Sequence, residues 1–229
     1  MQLNIHKPNL LSFVLIGLTW ICCIIGFASY WWSITVEMTE NSEPTTTTML
    51  LKYNEQKVSF KSGNQDIEGT QSVKETDANK NQLAILKVCL AFSVLAFVVL
   101  TGCMVLIVAH FLNALKSTRF PFSILGRVLP FVALLFCLVS MLVFLAFPNA
   151  MKRDCENQSS NNNNNSGDIN FGCESDMTKK FIGSISAAGT EIKWAPTTSW
   201  AAMVVACGLI FGGSIFNFIF GNYEESTPH

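Results

Sequence analysis

The chain predicts an all-α membrane protein, a four-transmembrane-helix bundle carrying a small extracellular antiparallel β-sheet. Three observations lead there: four long apolar runs, no Asp or Glu inside any of them, and patterned polar connections between them. The runs are Asn9–Ser29, Val88–Leu112, Val128–Phe147 and Ser199–Phe220. A helix of about 20 apolar residues crosses the roughly 30 Å of bilayer hydrocarbon. A soluble amphipathic helix would show a polar face, and these do not. Half of the 229 residues are hydrophobic and only 14% are charged, which fits one four-pass domain over residues 1–229 in contact with the lipid bilayer. A net charge of −1 without a basic cluster excludes a nucleic-acid partner, which needs grouped Lys and Arg.

The first run is expected to remain as a helix. It is longer than the apolar core of a cleaved signal, and Tyr30, Trp31 and Trp32 make a poor cleavage zone. The connection between the second and third runs carries Lys116, Arg119 and Arg127 with no acid, and Lys7 precedes the first run. Cytoplasmic loops collect Lys and Arg, so both termini are expected in the cytoplasm and the two long connections, 33–86 and 148–198, outside. A multi-pass protein of the plasma membrane is the resulting expectation.

The first outer connection holds strand-like pieces. These are Ser33–Val36, the Thr-rich Thr45–Tyr53, and Lys57–Lys61, which alternates polar and apolar. Gly63-Asn64 reads as a turn, and Gln65–Gln82 as loop or as a helical extension of the second crossing. The second outer connection contains Cys155 and Cys173, the cysteines outside the apolar runs, which are expected to pair in an oxidising compartment. Their bond would close a loop of about 19 residues and restrict the unfolded chain by about 3 kcal/mol. Asn157 and Asn164 each begin an Asn-X-Ser glycosylation sequon, the second inside the low-complexity tract Asn161–Asn165. Phe181–Ser186 and Thr190–Trp194 look extended, so a sheet drawing strands from both connections is expected.

Trp31 and Trp32 close the first run, and Trp194 and Trp200 precede the fourth; the indoles are expected to anchor at the headgroup level. Ala202 with Ala206, and Gly208 with Gly212, form small-xxx-small pairs in the fourth run, suited to close helix packing within the chain or against self or another membrane protein. Pro130 is expected to initiate or kink the third helix. Cys22, Cys23, Cys89, Cys103, Cys137 and Cys207 read as apolar packing residues. The histidines His6, His110 and His229 are scattered, with no metal-ligand spacing and no nucleophile–base pair. No cofactor, metal or enzymatic activity is therefore expected. The leading expectation is a protein that organises lateral or cell–cell membrane contacts, and the alternative is an auxiliary subunit of a channel or transporter.

An aromatic pair just beyond the first helix leads into a strand-like segment, and Lys193-Trp194-Ala195-Pro196-Thr197-Thr198-Ser199-Trp200 leads into a Gly-rich fourth helix. This layout resembles the broad claudin, peripheral-myelin-protein and fungal eisosome-tetraspan superfamily. The resemblance implies a four-helix bundle with an outer sheet and a non-enzymatic role in membrane organisation. It does not extend to the claudin first-loop motif, because the first connection here has no Gly-Leu-Trp and no cysteine pair. The terminal Ser226-Thr227-Pro228-His229 also lacks the apolar last residue that scaffold domains capture in claudins.

Overall fold

The computed structural model describes residues 7–40, 43–63, 65–112, 122–161, 173–187 and 189–220. Four helices are long and apolar enough to cross a membrane: α1 (Lys7–Ala28), α2 (Lys80–Phe111), α3 (Phe122–Phe144) and α6 (Thr198–Phe220). Lys116, Arg119, Asn64, Asn164 and both terminal tails, on which parts of the expected topology rest, lie outside the described residues. The chain divides into two compact units. One draws on Met1–Phe27, Ala91–Met141 and Ala202–His229, the other on Ala28–Leu90 and Leu142–Ala201.

In the first unit, the bundle, side chains of four helices share a core that includes Ile16, Leu100, Ala133, Met203 and Ile210. Pro130 lies within α3 rather than at its start. Proline has no N–H, so the Gly126 carbonyl one turn earlier loses its usual donor. The buried Asn217 side chain of α6 donates to that carbonyl at 2.9 Å. A neighbouring helix thus restores the hydrogen bond that the proline removes, as dry surroundings require.

The second unit is built on a six-stranded antiparallel sheet in the order β4-β3-β2-β1-β6-β5. Its strands are β1 (Trp32–Glu40), β2 (Glu43–Leu51), β3 (Glu55–Ser62), β4 (Gln65–Ser72), β5 (Gly183–Ala187) and β6 (Thr190–Pro196). Four come from the first long connection and two from the second, with β1 and β6 pairing across them. Gly63 takes φ 52° at the β3–β4 turn and Gly189 φ 81° before β6, conformations that favour glycine.

The register sorts the side chains because strand residues alternate between faces. Trp194, Ile34, Met49 and Val58 align across four strands on one face, and Ile185, Ile192, Val36, Thr47, Phe60 and Ile67 form the next row. The opposite face carries Thr35, Thr48, Ser59 and charged residues. There Lys57–Glu68 (2.7 Å), Lys61–Asp66 (3.2 Å) and Lys193–Glu37 (2.9 Å) bridge neighbouring strands.

Several boundaries differ from those expected. Gln65–Ser72 is strand β4, although Gln, Asp, Glu and Gly are poor strand formers; pairing with β3 along eight register positions overrides the local preference. Helix α2 starts at Lys80, ahead of the apolar run, in line with the helical extension that the end of Gln65–Gln82 allowed. The third span ends at Phe144, not Phe147. Leu145 and Ala146 turn the chain, and a polar helix, α4 (Phe147–Asn161), begins there. Pro148 in its first turn suits a helix start, where the missing N–H has no intrahelical role. A short helix α5 (Asp176–Lys179) precedes β5.

Candidate functional site

The candidate sites among the described residues are surfaces and the clusters that shape them. Among the described residues no group of three His, Cys, Asp or Glu could hold a metal ion. In the bundle, the Ser93 and Ser140 hydroxyls lie 3.0 Å apart, and the Trp20 indole donates to Thr101 at 2.9 Å. The Cys137 thiol contacts those of Cys23 and Cys207.

The four small residues of α6 fall on two faces. Ala202 and Ala206 are buried against the other helices of the bundle, in line with Ile210, Gly213 and Asn217. Gly213 backs onto Leu15 of α1, whose side chain would lie 3.3 Å from an added Cβ. Gly208 and Gly212 are exposed, and a Cβ built on either would meet nothing within 4 Å. Helical periodicity puts the two pairs about a third of a turn apart, since a residue advances by about 100°. The two pairs therefore lie on different faces of α6, one buried and one exposed.

In the sheet unit, Trp31, Trp32 and Trp194 are fully buried, which corrects their expected role as headgroup anchors. Their indoles are enclosed by protein. Trp31 packs on Phe144 at 5.1 Å, and Trp32 on Phe147 at 5.1 Å and Phe181 at 5.7 Å. The Trp194 Nε1 donates to the Lys180 carbonyl at 3.0 Å, so its polar end is satisfied inside. Gly183 is required beside it, because a Cβ there would sit 2.5 Å from the indole. Trp200 is half-buried, edge-on to Phe181 at 5.4 Å. Phe144 and Phe147 escaped the sequence reading as core residues because apolar residues at the end of a span carry no mark that distinguishes lipid contact from a protein core, and Phe181 was read only as part of an extended piece.

Cys155 and Cys173 form a disulfide with their Cα atoms 5.6 Å apart. The neighbouring Asp154 is buried and accepts three hydrogen bonds: from the Asn81 backbone at 3.0 Å, the Asn81 side chain at 2.7 Å and the Gln82 backbone at 2.9 Å. Those amides belong to the first turn of α2, whose N–H groups have no intrahelical acceptor. Asp154 is thus an N-terminal cap supplied from another helix, and its charge complements the helix dipole. Beyond the disulfide, Glu174 pairs with Lys152 and Lys179. Hydrogen bonds from these two ammonium groups hold its carboxyl down at about 2, against an ordinary 4.5. The pairs are solvent-exposed and so contribute little to stability.

Asn157, expected in a loop, lies in α4 with its side chain exposed. Asn164 lies outside the described residues. No protein-family model and no curated protein matches this chain.

Proposed function

We propose that this protein organises contacts within or between membranes and carries out no chemistry of its own. In this reading both termini are cytoplasmic, the two long connections face outside, and the plasma membrane is its location. The observation that carries it is the division of α6. Ala202 and Ala206 complete the bundle, while Gly208 and Gly212 leave a small-residue face that the chain's own described helices do not use. Such faces let a second helix approach closely, where packing and weak hydrogen bonds drive association in lipid. The half-exposed apolar row of the sheet, with Phe60 and Ile67 at its end, supports the same reading, as does the resemblance to the claudin-like superfamily.

The test is association of the full chain in mild detergent, wild type against Gly208→Leu with Gly212→Leu. Because a Cβ at either position meets nothing within 4 Å and both glycines are exposed, the variant is expected to keep its fold and lose self-association or a co-purifying membrane protein. A larger multi-pass protein retained by the wild type and lost by the variant would specify the contact as that of an auxiliary subunit. A wild-type chain that neither self-associates nor retains a membrane partner would sink the proposal.

A further inference from the structure

The sequon Asn157-Gln158-Ser159 sits in the last turns of α4, just after the buried Asp154 and the disulfide-bonded Cys155. Positions two apart on a helix do not face each other, since each residue turns by about 100°. The Asn157 amide and the Ser159 hydroxyl therefore point to different sides of α4. Glycan transfer needs them together, because the hydroxyl at the third position is what presents the asparagine amide to the transferase, and this is why acceptor sequons lie in loops. Here the Ser159 Oγ lies 3.7 Å from the Cys173 Sγ, and Cys155, two residues before Asn157, is bonded to that same sulfur. The disulfide thus grips the sequon from both sides.

Without that bond the segment has little reason to stay helical. Cys155–Asn161 reads Cys-Glu-Asn-Gln-Ser-Ser-Asn, in which Asn and Ser favour caps and turns over helix interiors. An isolated helix of about 15 residues is marginal in water even with better formers.

We infer that closure of Cys155–Cys173 shuts Asn157 to N-glycosylation, so that the asparagine is an acceptor only while the two thiols are reduced. The two reactions compete for one nascent segment. In the first, the anomeric carbon of a lipid-diphosphate-linked oligosaccharide breaks its bond to the diphosphate oxygen and bonds to the Asn157 Nδ2. The amide proton passes to a base of the transferase, and the lipid diphosphate leaves. In the second, Cys155 and Cys173 give up two electrons and two protons to the disulfide of a lumenal oxidoreductase, which is released as a dithiol. Once the second has occurred, α4 holds Asn157 and Ser159 apart. The exposed Asn157 side chain still has room for a glycan attached earlier. Occupancy at Asn157 therefore records which event came first. The inference rests on the proposed placement of 148–198 on the lumenal side.

The experiment expresses the full chain in a secretory host with Asn164→Gln, so that Asn157 alone is counted, and reads occupancy as the mobility shift removed by N-glycosidase. The same chain is compared with Cys155→Ser plus Cys173→Ser added, and with its cysteines intact but synthesised under a dithiothreitol pulse. The added Asn157→Gln substitution identifies the shifted band. The expected result is a minor glycosylated fraction with the bond allowed to form and a severalfold rise in both reduced arms. Equal occupancy in the three arms would overturn the inference, as would a fully glycosylated Asn157 formed only after the bond has closed. If Asn164 of the wild type carries a glycan while Asn157 stays bare even without the thiols, the lumenal placement stands and the inference falls. If no asparagine is modified in any arm, wild type included, the placement itself fails.

Discussion

At the scale of single residues, one pairing in the bundle explains two positions that look unfavourable alone. A proline within a helix and an asparagine within a membrane span are each costly. Here Pro130 withholds the donor for the Gly126 carbonyl, and Asn217 supplies one from α6. Each residue is thereby the condition for the other. Asn217→Leu should destabilise the bundle by leaving that carbonyl unsatisfied. In a Pro130→Ala background the alanine N–H can reach Gly126 within α3, so the same substitution should cost less. A double-mutant cycle on reversible unfolding in bicelles is expected to show a coupling of about 1 kcal/mol, the upper part of the range for interhelical hydrogen bonds in lipid. Additive effects of the two substitutions would show that the 2.9 Å contact carries no such role.

Among elements, α2 depends on a residue far away in sequence. Its first-turn amides at Asn81 and Gln82 meet the Asp154 carboxylate from α4, with no local side chain doing that work. Asp154→Ala should expose those two N–H groups at a cost of about 1–3 kcal/mol, the penalty for a buried donor left unpaired. Hydrogen exchange at Asn81 and Gln82 should accelerate while the paired amides of β1 and β2 keep their protection. Unchanged exchange at both positions would assign the cap elsewhere. This cap also shows where sequence reading stops. The four apolar runs and the Lys57–Lys61 alternation were legible, because each pattern is local and its period names the element. The strand at Gln65–Ser72 was not, because its pairing with β3, not its composition, makes it a strand. The role of Asp154 was not, because nothing near it in sequence announces a partner on α2. The tryptophans were legible as special and misread in location, since an indole beside a span has the same sequence signature in a headgroup layer and in a protein core.

For the whole molecule, the division into a bundle and a sheet unit assigns different forces to each. In the bundle, backbone hydrogen bonds are internal to each helix, and an apolar solvent sustains the helices even when their packing is lost. The sheet unit depends instead on non-local strand pairing, on the aromatic core of Trp31, Trp32, Trp194, Phe144, Phe147 and Phe181, and on the Cys155–Cys173 bond. Heating the detergent-solubilised chain should therefore give two transitions. Four of the five tryptophans, Trp31, Trp32, Trp194 and Trp200, belong to the sheet unit, so near-ultraviolet circular dichroism should lose most of its amplitude in the first. The helical far-ultraviolet signal, dominated by the apolar spans, should largely survive it. Reduction with dithiothreitol relaxes the unfolded form of the sheet unit alone, removing about 3 kcal/mol of stabilisation for a loop of this length. The first transition should then fall in temperature while the second stays fixed. A single coincident transition in both spectral regions, moving as one on reduction, would mean that the two units fold as a single cooperative body and that the disulfide stabilises the spans as much as the sheet.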